Sequence, residues 1–377
     1  MIGKLFTDLL AFGLFDRPLP EGSAELFQDR ASELFSLAKY HDLVYALAVS
    51  LDKCKVSVGG EVGSKIEGER LLTLYRYENL RFTAKELSDA LERGGIPHML
   101  LKGALVRELY SDPMARTSCD VDVLVKPEDT ERAIECLCEG CKYKLESRNY
   151  HDFSLYTPGG VHVELHFELG EAIKNAAAVY GRVWEYAKPV YGKHFEYRMT
   201  GEYLLFHTIA HAAYDFTNGG FGIKAVTDVA MLSDFDSCDL LEEAGLSSFA
   251  NAMHQLAGAW FFGENYSDTA QKMGDFILSS GVYGTHENKI SASKSPKPSR
   301  FGYLMGRIFL PYAQLKRLYP VIERHKILTP FCQVRRWFRL LRGGAARRSV
   351  SEAKTAVTLD VSYREGVQNL IAELELN

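Results

Sequence analysis

His98-Met-Leu-Leu-Lys102-Gly103-Ala-Leu-Val-Arg-Glu-Leu-Tyr110-Ser-Asp-Pro113-Met-Ala-Arg116-Thr-Ser-Cys-Asp120-Val-Asp122-Val-Leu-Val125 is the stretch whose reading decides the fold. An apolar run ends in Lys-Gly, an amphipathic segment follows, and Asp112-Pro113 breaks it. The stretch closes on two aspartates one residue apart, set among valines. Alternate side chains of a strand share a face, so Asp120 and Asp122 stand side by side, roughly 7 Å apart along the strand. Val121, Val123 and Val125 then face a core. Two carboxylates aimed at one point suit a hard cation such as magnesium, which takes oxygen ligands and leaves room for substrate phosphates.

Upstream, residues 1–93 read as a helical region. Apolar residues recur at helical spacing through Ala31, Leu34, Ala38, His41, Val44 and Leu47. A glycine-containing loop around Gly59, Gly60 and Gly63 separates them from a second long helix, expected from about Gly68 to Arg93. Its apolar positions are Leu71, Leu72, Leu74, Tyr75, Leu80, Phe82, Leu87 and Leu91, and Gly94-Gly95 ends it.

Residues 94–170 read as an α/β core. Ile96–Leu101 is a strand, a short helix follows Gly103, and Asp120–Val125 is the next strand. Pro127-Glu-Asp opens a second helix that ends near Gly140. Tyr143–Glu146, Tyr150–Tyr156 and Val161–Phe167 are further strands, the last two joined through Pro158-Gly159-Gly160. In the last strand Val161, Val163, Leu165 and Phe167 share one face, and His162, Glu164 and His166 share the other. That polar row is either a solvent-facing side of the sheet or the source of a third carboxylate, Glu164, for the site begun by Asp120 and Asp122. Residues 171–280 read as a helical domain, 281–300 as a Ser/Lys/Gly/Pro-rich linker and 301–377 as a basic, aromatic C-terminal helical region. The class expected is α+β: a small mixed sheet of four or five strands with two helices, embedded in a larger, mostly α-helical chain.

Phosphoryl and nucleotidyl transfer need metal ions that bridge phosphate oxygens, carboxylates that hold those ions, and a cradle without steric bulk. Gly103 lies between a strand and a helix start, where the backbone can approach an anion. Lys102 and Arg116 are cations near it in sequence. Leu101-Lys102-Gly103, Tyr110-Ser-Asp-Pro113, Arg116, Asp120-Val-Asp122-Val-Leu-Val125 and Val163-Glu164-Leu165-His166 together resemble the uncharacterised bacterial nucleotidyltransferase family of the DNA polymerase beta-like superfamily. Ala38-Lys-Tyr-His41 is similar to that family's N-terminal helical signature. His207, His211 and the segment from Lys224 to Asp228 are similar to its helical domain, so the resemblance covers most of the chain. It implies that Asp120, Asp122 and Glu164 bind Mg2+ (or Mn2+), that Glu164 helps activate an acceptor hydroxyl, and that Gly103 stands at the phosphate loop. It further implies transfer of a nucleoside monophosphate from an NTP, such as ATP, with release of pyrophosphate. The superfamily's usual loop is Gly-Gly or Gly-Ser. Here it is Lys102-Gly103-Ala104, which lacks the serine that would contact a phosphate.

His207 and His211 are spaced i, i+4 on one helical face, and Asp228 follows seventeen residues after His211. Three readings compete: a structural or substrate-contacting face, support for the base or triphosphate together with Lys224, and a separate hydrolase metal site. No Glu lies between the two histidines, and no His-Asp doublet accompanies them, which disfavours the last. His166, His207, His211 and Asp228 are therefore carried as supporting residues, and Lys102, Gly103, Arg116 and Lys224 as nucleotide-binding ones.

The chain has 377 residues, room for two or three domains, and a net charge of −5. The charge is uneven. Residues 291–350 carry fourteen Lys/Arg and one Glu, so this segment is +13 and the rest of the chain −18. Such a segment either packs on the acidic body, binds nucleic acid, or meets an anionic membrane surface, as Arg335-Arg336-Trp337-Phe338-Arg339 mixes cations with large apolar groups. The seven cysteines are scattered; Cys136, Cys138 and Cys141 have no second pair at zinc spacing, so reduced thiols and a cytoplasmic location are expected. Leu5–Phe15 is apolar but too short for a membrane span and is interrupted by Asp8. Two other classes compete with an enzyme: a degenerate core that binds nucleotide without turnover, and a helical scaffold that binds none.

Overall fold

The computed structural model describes residues 2–149, 151–292, 309–310, 312, 315, 319, 321–342 and 361–377. They fall into two compact units, residues 1–284 with 370–377, and residues 285–369.

The first unit is built on a seven-stranded mixed sheet. Its strands are β1 (His98–Leu100), β2 (Asp120–Val125), β3 (Lys144–Arg148), β4 (Asp152–Tyr156), β5 (His162–His166), β6 (Ala187–Pro189) and β7 (Glu196–Met199), in the order β3-β4-β5-β2-β1-β7-β6. β2 lies mid-sheet, parallel to β5 and antiparallel to β1. The expected α+β class holds, with two strands more than expected. β6 and β7 fall where the chain read as helical. They are three and four residues long and carry Lys, Pro, Glu and Arg, so no period-two pattern marks them; β7 gains order by pairing with β1, and β6 by pairing with β7.

Five helices precede the sheet: α1 (Ile2–Phe15), α2 (Ser23–Asp29), α3 (Ala31–Tyr40), α4 (Val44–Lys53) and α5 (Gly60–Arg93). α5 starts eight residues before the expected Gly68 and takes in Gly60 and Gly63. The helical cost of two glycines is offset by burial of Ile66 and an i,i+4 ion pair, Glu61 to Lys65, at 2.6 Å. Leu80, Leu87 and Leu91 of α5 pack on Val121, Val123, Val125, Val163 and Leu165. The valines of β2 thus face the core, as their alternation predicts. Leu71, Leu72, Leu74, Tyr75 and Phe82, expected on the same apolar face, are exposed instead. They lie off the seven- and four-residue steps that connect the buried leucines.

Within and after the core come α6 (Gly103–Val106), α7 (Thr130–Glu135), α8 (Ala176–Tyr180), α9 (Gly201–Thr217), α10 (Ile223–Met231), α11 (Cys238–Glu243), α12 (Ser247–Ala257) and α13 (Asp268–Ser280). Thr200 and Ser267 cap α9 and α13 through their hydroxyls. His41 joins three of the helices. At the end of α3, its Nδ1 accepts from Ile223 N–H at 3.3 Å and its Nε2 lies 3.2 Å from the Leu278 carbonyl of α13. This arrangement needs the neutral ring, and burial lowers its pKa to about 4. The unfolded chain therefore binds this proton more readily than the folded one. Stability should fall as pH drops from about 6.5 towards 4, by up to about 3 kcal/mol. His41→Asn should flatten that part of a denaturation-against-pH curve.

The second unit contains α14 (His286–Ala292), the helices Val321–Arg324 and Thr329–Arg342, and a small cluster of Leu315, Ile322 and Cys332. α14 lies in the stretch read as linker, where the Thr285 hydroxyl caps Asn288 N–H at 3.0 Å. Residues 293–300 of that linker, and 293–308 and 343–350 of the basic segment, lie outside the described residues. Among the described residues, no helix is long and apolar enough to cross a membrane. All seven cysteines are free.

Candidate active site

The parallel register of β2 and β5 sets Asp120 opposite His162, Asp122 opposite Glu164 and Leu124 opposite His166. Residues of equal parity then rise from one sheet face, with the valine and leucine side buried beneath them. Two groups of side chains result, each with ligand atoms within 4.8 Å of one another: Asp120, His162 and Glu164; and Asp122, Glu164 and His166. Glu164 belongs to both. The side chain of Glu164 is 31% exposed, whereas that of Asp122 is 7% exposed. A third group, His151, Asp152 and His166, adjoins the second through His166.

Electrostatics separates the two aspartates. Burial opposes the Asp122 charge, but Lys102 Nζ at 3.4 Å and His166 Nε2 at 2.9 Å outweigh it, and the carboxyl is held well below its ordinary range. Asp120 moves the other way. Burial, then repulsion from Asp122 and Glu164, raise its pKa, and Lys102 offsets this only in part. His166 is also buried, yet its hydrogen bonds to Asp122 and Glu164 lift it to about 9, so it is a cation at neutral pH. Three crowded carboxylates, of which Asp120 has no ion-pair partner among the described residues and is disfavoured as an anion, form a donor set that a divalent cation fits.

Lys102 and Gly103 form the turn beside these acids. Leu101 N–H donates to the Asp122 carbonyl at 3.0 Å, and Ala104 N–H closes back on Leu101 O at 3.1 Å. The residue in the left-handed region is Lys102, at φ 43°, and not Gly103. The strain places the lysine amine over Asp122. Gly103 is needed for a different reason: a Cβ there would collide with Ser118 Oγ and come within 2.7 Å of Arg116 Nη1. Ser118 thus brings a hydroxyl to the loop that lacks its own serine. α6 is a single turn, so the phosphate reading rests on this turn and its cations more than on a helix dipole. Gly103→Ala should cost about 1–3 kcal/mol of stability, part of it regained in Gly103→Ala with Ser118→Ala, by urea denaturation.

Arg116 turns into the protein. Its Nη2 donates to Asp228 Oδ2 at 2.7 Å and its Nη1 to Ser118 Oγ at 3.1 Å, while Tyr110 Oη–H donates to Asp228 Oδ1 at 2.7 Å. Arg116 and Asp228 are therefore a buried pair joining the core to α10, and both are bound to each other before any ligand. Lys224 donates to the Thr117 carbonyl at 3.1 Å, with Asp42 Oδ2 at 3.6 Å, and burial with Arg116 nearby lowers its pKa. His211 lies 2.7 Å from Glu171 Oε1 and 3.3 Å from Asp215 Oδ2. His207 is buried, and burial, then His211, keep it neutral; both ring nitrogens are without a hydrogen-bond partner among the described residues.

These residues meet around one cleft of about 270 Å³, with Lys102, Gly103, Asp120, Asp122, His207 and Lys224 in its wall. Arg116, His211 and Asp228 also line it, and Glu164 stands beyond Asp122 on β5. The cleft further contains Ser118, Asp42 and Tyr283, which the sequence reading did not single out. Only the proximity of Ser118 to the aspartates in sequence hinted at its place.

A mixed sheet with paired carboxylates on neighbouring parallel strands beside a tight Lys-Gly turn defines a protein of nucleotidyltransferase type. The model of a family described as uncharacterised nucleotidyltransferase matches residues 28–261, more than half of the chain. The chain belongs to that family. No curated protein matches it.

Proposed function

We propose that the cleft binds a nucleoside triphosphate with a divalent cation, Mg2+ or Mn2+, and that the protein moves the nucleoside monophosphate to an acceptor hydroxyl. The observation that carries this reading is Glu164 of β5, which shares one group of ligand atoms with Asp120 and a second with Asp122 of β2, beside the Lys102-Gly103 turn. In this proposal these three carboxylates hold the cation, which when bound neutralises charge on phosphate oxygens. Lys102 holds Asp122 as an anion and lies where a phosphate would meet a cation. His166 fixes the orientation of Asp122 and Glu164 through its shared hydrogen bonds. Glu164 accepts the acceptor's hydroxyl proton. The hydroxyl oxygen bonds to the α-phosphorus as the bond to the bridging oxygen breaks, and pyrophosphate leaves. Lys224, His207 and His211 line the part of the cleft left for the nucleoside, and Arg116 and Asp228 position its wall.

The test is incubation with each α-labelled NTP, a divalent cation and a cell extract. Label entering an acceptor, with pyrophosphate released in equal amount, is the expected result. Nucleotide binding without pyrophosphate for any NTP would favour the degenerate binding protein; no cation-dependent nucleotide binding would favour the scaffold.

A further inference from the structure

We propose that a second, larger cavity on the other side of Asp120 holds the acceptor, and that Arg107 selects an acceptor carrying a phosphate or carboxylate on an apolar body. The inference rests on the nucleotidyl-transfer reading of the neighbouring cleft. The cavity has a volume of about 560 Å³, enough for a small organic molecule. Asp120 lines both it and the cleft, so a molecule in the cavity reaches the reacting end of the nucleotide.

The charged groups of its wall fall into two kinds. Most are neutralised by neighbours. Lys85 and Lys193 pair with Asp89, Glu196 accepts from Ser88, Arg81 pairs with Glu78, and Glu108 pairs with Arg198. Among the described residues two are left without an ion-pair partner, Asp120 and Arg107. Asp120 belongs to the proposed cation site. Arg107 is only 9% exposed, and its Nε donates to the Gly103 carbonyl at 2.7 Å. That bond holds the guanidinium, and its two terminal amino groups have no hydrogen-bond partner among the described residues. Burial and nearby Arg116 lower its pKa to about 10, the reverse of what a bound carboxylate does.

A buried guanidinium without a counter-ion is costly, and its planar fork matches a carboxylate or phosphate. The Tyr77 ring lies 5.8 Å from the guanidinium, and Leu80, Ala84, Leu100 and Pro113 supply apolar wall. The ligand that fits has one anionic group for Arg107, an apolar or ring-shaped body against Tyr77, and a hydroxyl directed past Asp120 to the adjacent Glu164.

Calorimetric titration of the full chain with phenyl phosphate and with phenylacetate tests this, beside titration with ATP and with GTP, each with Mg2+. The variants are Arg107→Gln, which removes the charge, and Ala84→Phe, which fills the cavity and leaves every charge in place. At least one anion should bind the unmodified protein. It should bind Arg107→Gln at least about tenfold more weakly and Ala84→Phe not at all, with ATP affinity unchanged in both. Preference between the two probes tells phosphate from carboxylate. The proposal is overturned if neither anion binds the unmodified protein, if binding survives both substitutions, or if ATP affinity falls together with anion affinity, which would assign Arg107 to the nucleotide. Should Arg107→Gln fail to fold, Ala84→Phe decides alone. Absence of ATP and GTP binding by the unmodified protein would instead remove the nucleotidyl-transfer reading, whatever the anions do.

Discussion

Asp120→Asn is expected to abolish nucleotidyl transfer, a fall of at least about 10³-fold, while leaving the free energy of unfolding unchanged or slightly higher. Asp120 has no ion-pair partner among the described residues, and burial with two neighbouring carboxylates disfavours its charge. Removing that charge relieves repulsion in the folded protein. Asp122→Asn should abolish transfer equally but should cost about 2 kcal/mol, because it leaves Lys102 and His166 short of a carboxylate in a buried site. Urea denaturation beside a label-transfer assay separates the pair. Transfer surviving in Asp120→Asn contradicts the proposed role, and equal destabilisation by the two substitutions contradicts the electrostatics.

Asp228→Asn should destabilise the first unit by about 3–5 kcal/mol, the largest loss expected from a change of one carboxylate. The side chains of Arg116 and Asp228 are 13% and 4% exposed, and Tyr110 adds a hydrogen bond. The substitution leaves a buried guanidinium facing a neutral amide. Arg116→Met with Asp228→Leu, which removes both charges, should recover much of the loss. The double variant would still bind nucleotide more weakly, because Ser118 and the wall around Gly103 lose the arginine that orders them. A loss below about 0.5 kcal/mol for Asp228→Asn would show that the pair carries no such load.

Most of the sheet and the carboxylate constellation were legible in the sequence because β2 and β5 obey a period of two with one buried face. Val121, Val123, Val163 and Leu165 enter the core, so Asp120, Asp122, Glu164 and His166 have one direction left. Spacing along an element determines that much. Partner choice across elements is not encoded locally. Arg116 read as a cation for the nucleotide's phosphates, and Asp228, 112 residues away, pairs with it. The turn read as a glycine turn is strained at Lys102, because a lysine amine over Asp122 stabilises what the backbone alone would not. β6 and β7 were invisible because three- and four-residue strands owe their order to a neighbour already in place. Arg107 gave no signal at all; that it is buried without an ion-pair partner among the described residues is seen only in the fold.

The central claim is that three carboxylates from two strands share a divalent cation. Titration of the protein with Mn2+, followed by the electron paramagnetic resonance signal of the free ion, measures this without any acceptor. The signal should fall as the unmodified protein binds the ion. Binding should be lost or weakened at least about tenfold in Asp120→Asn and in Glu164→Gln. A free-ion signal undiminished by the unmodified protein, or binding equal in all three, would contradict the account.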